Sequence, residues 1–258
     1  MLTDLGTNRS NNEDCCGQFI ESSASAVLVV ADGIGGYEGG EVASRMAVDI
    51  TIETYRTSPV AWGPAKRMHR AVQRANIEIH NRALAVPELR RMGTTLTAAV
   101  VDEGMMHAAH VGDCRLYLVR RGEAIQITKD HTMIAERVRM GLMSAQRARN
   151  HPERSALSRS IGHELIVSVD VISMPLVRDD QILICSDGLH GVLDDHELAE
   201  LMREGDAAAT CHRLIGAANE KGTGDNLTAA VLRMIGATPH AERRARGGWL
   251  RRLFARSH

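Results

Sequence analysis

The sequence predicts an α+β fold, a sandwich with sheets inside and helices outside. Three observations lead there. Between residues 94 and 128, strand-sized apolar segments alternate with Gly- and Asp-containing turns, the pattern of antiparallel pairing. Helical stretches come in consecutive pairs, one pair after the first apolar strand and one before the last. The chain has 258 residues, 44% hydrophobic and 24% charged, enough to bury a core of this kind as one large unit or two small ones.

Ala26–Ala31 (A-V-L-V-V-A) is a continuous apolar run and predicts a buried strand ending at Asp32-Gly33. A glycine-rich turn, 33–40, leads into a helix over about Glu41–Tyr55. A second helix starts near Pro64, and Met68, Ala71, Val72, Ala75 and Ile79 form its apolar stripe. Strands are predicted at Thr94–Val101, Met105–Val111, Arg115–Val119 and Ala124–Thr128. Residues 132–160 are polar and Arg-rich, helical or irregular. Ile166–Ile172 and Gln181–Cys185 predict strands, the second ending at Ser186-Asp187-Gly188. Helices at Asp195–Arg203 and Asp206–Glu220 precede a last strand, Leu227–Met234, which opens just after Gly224-Asp225-Asn226.

Composition excludes several function classes. Lys plus Arg (31) against Asp plus Glu (32) gives −1, and aromatic residues are 3%, so neither charge nor stacking surface indicates nucleic acid. No apolar run reaches membrane-spanning length, and the N-terminus carries no signal-peptide pattern. The cysteines, Cys15, Cys16, Cys114, Cys185 and Cys211, are odd in number and contain no C-x-x-C, which fits reduced thiols in a cytoplasm rather than a disulfide framework or a zinc site; the chain is expected to act as a monomer. Composition breaks near 240. Residues 1–240 form the predicted body, and 241–258 form a basic tail with six Arg and one Glu. Trp249, Leu250, Leu253 and Phe254 fall on one side of a helix there, a pattern suited to an anionic membrane surface or an acidic groove on a partner.

Four aspartates stand at strand ends or in adjoining turns: Asp32, Asp113, Asp187 and Asp225. Asn12-Glu13-Asp14 adds a fifth acidic point. Any one Asp-Gly is an ordinary turn signal. Gathered at one sheet edge, however, the carboxylates would repel one another unless cations intervened. Oxygen donors without His or Cys partners select hard ions, Mg²⁺ or Mn²⁺. Gly33, lacking a side chain, lets its own carbonyl approach such an ion. Arg9, four residues before Glu13, has the fork that holds a phosphate. The 33–40 turn matches neither a dinucleotide fingerprint nor a P-loop.

Seven motifs in order carry a resemblance: Arg9-Ser-Asn-Asn-Glu-Asp14, Ala31-Asp-Gly-Ile-Gly-Gly36, Gly93-Thr-Thr95, His110-Val-Gly-Asp-Cys-Arg115, Thr128-Lys-Asp-His131, Ser186-Asp-Gly-Leu189 and Gly224-Asp-Asn226. Over about 1–235 the chain resembles the metal-dependent Ser/Thr protein phosphatases of the PP2C (PPM) family, small bacterial type. The resemblance implies a β-sandwich of two mainly antiparallel sheets flanked by paired helices. It implies hydrolysis of phosphoserine and phosphothreonine in proteins by a metal-activated water, opposing a Ser/Thr kinase. By position, Asp32 would bridge two Mn²⁺ or Mg²⁺ ions. The Gly33 carbonyl would bind one of them, and Asp187 and Asp225 the other. Asp14 and Glu13 would act directly or through water. Asp113 with Asp187 would hold a third ion, and Arg9 the substrate phosphate.

Three departures stand out. Ile34 occupies the place where some relatives carry a His that protonates the leaving group, which leaves metal-bound water as the expected acid. Tyr37 replaces a common His, and Cys114 a common Ser; Cys114 reads as a small buried residue. His131 reads as a hydrogen-bonded structural histidine. A rival reading, a partner-binding pseudophosphatase, expects loss of core carboxylates, whereas Asp32, Asp187 and Asp225 are all present.

Overall fold

A computed structural model describes residues 1–35, 39–149 and 151–236. The expectations for Tyr37 and for the 241–258 tail therefore lie outside the described residues. The chain runs through β1 (Leu2–Asp4), β2 (Asp14–Ser22) and β3 (Ser25–Ile34) into a helix pair, α1 (Gly39–Thr57) and α2 (Gly63–Ala85). Then come β4 (Gly93–Thr94), β5 (Leu96–Asp102), β6 (Met105–Val111), β7 (Arg115–Arg120) and β8 (Glu123–Gln126). Two short helices follow, α3 (Met133–Arg139) and α4 (Ala145–Arg149), then β9 (Asp170–Pro175) and β10 (Gln181–Cys185). The chain closes through α5 (Asp187–His190), α6 (Asp195–Leu201), α7 (Ala207–Glu220) and β11 (Leu227–Arg233).

The strands form two antiparallel sheets. One has the order β1-β11-β10-β7-β8; the other has β2-β3-β5-β6-β9, with β4 attached to β3. Alternation along each strand explains the layering. On β3, Leu28 and Val30 face the other sheet and meet Leu116, Leu118, Ile182 and Ile184. Val27, Val29 and Ala31 face outward and are covered by Ala43, Ala47, Val72 and Ile79 of α1 and α2. On β10, Leu183 and Cys185 pack likewise beneath Leu198, Leu214 and Ala218 of α6 and α7. A strand covered on both faces has no solvent side, which is why both read as unbroken apolar runs. Among the described residues no helix is long and apolar enough to cross a membrane.

Three of the boundaries that differ from expectation have a hydrogen-bonding reason. β3 runs past Asp32 to Ile34 because Gly33 pairs with Thr94 and Ile34 with Gly93. The strand expected from Thr94 breaks at Thr95, whose N–H donates to the Asp32 carbonyl (2.8 Å) and whose hydroxyl accepts from the Asp32 N–H (3.0 Å). The strand expected over 166–172 starts only at Asp170. Upstream, the carbonyls of Glu164 and Leu165 are taken by Asn76 Nδ2 and that of Val167 by Gln73 Nε2, so this stretch lies along α2 instead of in the sheet. Every acidic motif falls at one edge of the sandwich: the end of β3, the β6–β7 turn, the β10–α5 junction and the turn into β11.

Candidate metal and phosphate site

Arg9, Asp32, Asp113, Asp187 and Asp225 line one cleft of about 420 Å³ at that edge. Ile34 and Thr95 line it from the β3 side, and Ser155, Leu157, Ser160 and His163 from the 151–169 segment. No motif marks this last group.

Local bonding fixes the backbone that carries Asp32 and the turn that carries Asp225. Asp32 is held by Thr95 as described, and its carbonyl also accepts from the Thr94 hydroxyl at 2.8 Å. Asn226 ties the N-terminal segment to the turn before β11: its Oδ1 accepts from the Glu13 N–H (2.9 Å), and its Nδ2 donates to the carbonyls of Leu5 (2.9 Å) and Asn11 (3.0 Å). Arg9 Nη2 lies 2.9 Å from Asp225, an ion pair open to solvent.

Gly33 and the acidic pair at the start of β2, Glu13 and Asp14, lie beside or beneath the cleft rather than on its lining. A Cβ on Gly33 would stand 2.2 Å from the Gly40 carbonyl oxygen and 2.7 Å from that of Glu13, so no other residue fits there. Asp14 is buried under the cleft, accepting from the hydroxyls of Ser186 (2.6 Å) and Thr228 (2.8 Å). The Oε1 of Glu13 is buried with no hydrogen-bond partner.

Electrostatically the group is unbalanced. Burial, and then the neighbouring carboxylates Asp14, Asp187 and Asp113, push Asp32 well above the ordinary range. Burial and Asp187 do the same to Asp113. Burial and Asp225 raise Asp187, partly offset by Arg9. Burial pushes Asp14 up to about 7 even though two hydroxyls donate to it. Burial also raises Glu13, against the pull of Arg9. Charge repulsion of this kind at a set of oxygen donors is what a hard divalent cation relieves. With the orphaned Glu13 oxygen and the Gly33 cradle, the residues present fit such ions. Among the described residues no three acidic, imidazole or thiol groups already close on a single point; the carboxylates stand around an opening.

Two neighbours are structural. His131 is fully buried, its Nδ1 accepting from the Gly112 N–H (3.1 Å) and its ring packed 4.6 Å from that of His110. Cys114 is buried against the Thr95 hydroxyl at 3.1 Å, and burial pushes its thiol well above the usual value, so it is held as the unreactive thiol.

Known proteins share this architecture. The family model for protein phosphatase 2C matches residues 6–231. Serine/threonine phosphatase stp of Listeria innocua is 33% identical over 234 residues, covering 89% of this chain and 93% of the relative. The crystal structure of the Mycobacterium tuberculosis serine/threonine phosphatase PstP/Ppp superposes with a TM-score of 0.82 at 32% identity, over 90% of this chain and 96% of that one. A structure of the PstP catalytic domain in complex with 2 manganese ions gives a TM-score of 0.78 at 32% identity, over 89% and 94%. A match across most of the chain, joined to a matching two-sheet fold, means that this chain belongs to the protein phosphatase 2C family of serine/threonine phosphatases.

Proposed function

We propose that the cleft removes phosphate from serine and threonine side chains of proteins with the help of Mn²⁺ or Mg²⁺, and that it opposes a Ser/Thr kinase. The observation that carries this reading is the set of four cleft aspartates with one guanidinium between them: a site that repels itself until cations enter and that then attracts a dianion. Asp32 and the Gly33 carbonyl would hold one ion. Asp32, Asp187 and Asp225 would hold a second, and Asp113 with Asp187 a third. When bound, such ions lower the pKa of a water molecule and offset charge on phosphoryl oxygens. Asp14, held by the hydroxyls of Ser186 and Thr228, and Glu13, whose Oε1 lies beside Gly40, would act on the ions directly or through water. Arg9 offers its guanidinium to the phosphate, exchanging Asp225 for the substrate. The manganese in the PstP structure supports the choice of metal. The end of the family match at residue 231 supports a phosphatase domain that needs nothing beyond about residue 240.

The test is turnover of a phosphothreonine peptide and of p-nitrophenyl phosphate with Mn²⁺, with Mg²⁺ and with EDTA. Both substrates should be hydrolysed with metal, and activity should vanish in EDTA and return on adding Mn²⁺. Equal turnover in EDTA would overturn the metal assignment.

A further inference from the structure

Hydrolysis of a serine or threonine phosphate expels an alkoxide, a poor leaving group unless a proton reaches its oxygen as the bond breaks. β3 offers none beside Asp32, since residue 34 is isoleucine. The cleft aspartates are claimed by cations, and a guanidinium does not give up its proton. Among the described residues that line the cleft, one imidazole remains, that of His163.

Its position follows from the strand register. Ile34 pairs with Gly93 across β3 and β4. The ring of His163 lies over Gly93, so that a Cβ there would stand 2.8 Å from His163 Cε1 and 2.9 Å from Nε2. An imidazole from a distant part of the chain therefore sits next to the backbone that carries Asp32.

The segment bearing it is built to stay in place. Ile161 bridges Thr94 through bonds of 3.0 and 2.7 Å. The Gly162 N–H donates to Asn76 Oδ1 (2.8 Å), and the Gly162 carbonyl meets His80 Nδ1 (3.0 Å). Asn76 Nδ2 donates to the carbonyls of Glu164 (2.9 Å) and Leu165 (3.0 Å). Asn76 is fully buried. A buried amide that spends both its ends on one loop is a positioning device. The ring is oriented as well: Ser160 Oγ lies 2.5 Å from Nδ1, which leaves Nε2, the nitrogen over Gly93, as the one without that partner.

We propose that His163 is the catalytic acid, donating the proton on Nε2 to the departing serine or threonine oxygen. This rests on the phosphatase reading above. The oxygen of water forms the new bond to phosphorus, and the bond from phosphorus to the side-chain oxygen breaks with its electron pair going to that oxygen. The His163 proton completes the alcohol. The surplus proton of the attacking water passes to solvent, and the neutral imidazole takes one back from solvent.

The test compares two leaving groups in the full chain with Mn²⁺. p-Nitrophenolate departs without a proton, whereas a threonine alkoxide does not. His163→Gln should lower kcat on a phosphothreonine peptide by about 10²-fold and on p-nitrophenyl phosphate by less than about 3-fold. The second substrate reports in the same sample that the variant is folded and metal-loaded. Gly93→Ala, which keeps the imidazole but crowds it, should show the same selectivity at about 10-fold. Adding Ile34→His to His163→Gln should return part of the peptide activity. Parallel losses on both substrates, or no loss on the peptide, would overturn the assignment. A wild-type chain inactive on both would overturn the phosphatase reading itself, a separate result.

Discussion

Two sets of buried and half-buried aspartates in this molecule are treated in opposite ways. Asp130 receives Arg115 Nε at 3.0 and 3.2 Å and Nη2 at 2.7 Å, with Gln126 Nε2 at 2.9 Å. Burial pushes its carboxyl up, but the bonds from Arg115 outweigh this and leave it below the ordinary range. Asp180, 1% exposed, has Arg120 Nε and Nη2 at 2.7 and 2.6 Å and the Val177 N–H at 2.7 Å. Asp32, Asp113 and Asp187 at the cleft have no guanidinium of this kind, and all three are raised. The fold thus supplies a cation where a carboxylate serves structure and withholds one where the cleft needs an ion from outside.

One substitution made at both places should break the comparison if it is wrong. Asp187→Asn should lower kcat by about 10²-fold or more, because a charged donor is lost from the site that activates water. In EDTA it should keep or raise Tm, since one source of repulsion is gone. Asp180→Asn should do the reverse. It strands Arg120 in the interior and should cost about 3 kcal/mol or more in stability, with kcat per folded molecule nearly unchanged. Urea unfolding and steady-state kinetics on the same preparations decide it. Similar stability losses for the two variants would remove the distinction.

The distinction also predicts a pH dependence for the metal-free chain. Asp14, Asp32, Asp113 and Asp187 have folded pKa values above their unfolded ones, Asp14 at about 7. At these carboxyls the folded state binds more protons than the unfolded state from about pH 4 upward, which lowers stability as pH rises, whereas His107, His110, His131 and His190, all lowered by burial, act in the opposite sense below the ordinary histidine value. In EDTA, Tm should drop by a few degrees from about pH 6.5 to pH 8, above the range in which the histidines titrate, at roughly 2–4 °C per kcal/mol for a chain of this size. Saturating Mn²⁺ should flatten or invert the slope, because the ion replaces the protons. A Tm that rises across that range in EDTA would show that the cleft carboxylates are not in conflict.

Much of this was legible in the sequence, for physical reasons that also mark its limits. Strand period and local turn chemistry gave β3, β6, β10 and the Asp-Gly turns, because those features depend on near neighbours. Asp32, Asp113, Asp187 and Asp225 were visible for the same reason: each sits at the end of a pattern. The wall of the cleft formed by residues 151–169 carries no motif, so its course was not legible from local pattern. Its course is set by Asn76 and Gln73, which hold carbonyls 88 to 94 positions away, and no local rule says which carbonyl a helix amide will find. The same bonds moved the start of β9 from Ile166 to Asp170 and brought His163 to the site.

The smallest effect contrasts two guanidinium–carboxylate pairs. Arg120 and Asp180 are 9% and 1% exposed, whereas Arg9 and Asp225 are 47% and 39% exposed. An exposed pair contributes at most about 1 kcal/mol, since solvent screens it. Arg9→Ala should therefore leave Tm within a degree or two, while Arg120→Ala should lower it clearly. The role of Arg9 shows in kinetics instead. If it mainly gives the phosphate the same hold in the ground state and the transition state, its loss should raise KM for p-nitrophenyl phosphate by about 10-fold with a smaller change in kcat. Arg9→Lys should recover part of that, because an ammonium keeps the charge but not the two-pronged geometry. A fall in kcat larger than the rise in KM would instead mean that Arg9 tightens its grip as the phosphoryl group is transferred. No change in either parameter would mean that Arg9 serves only as a surface partner for Asp225.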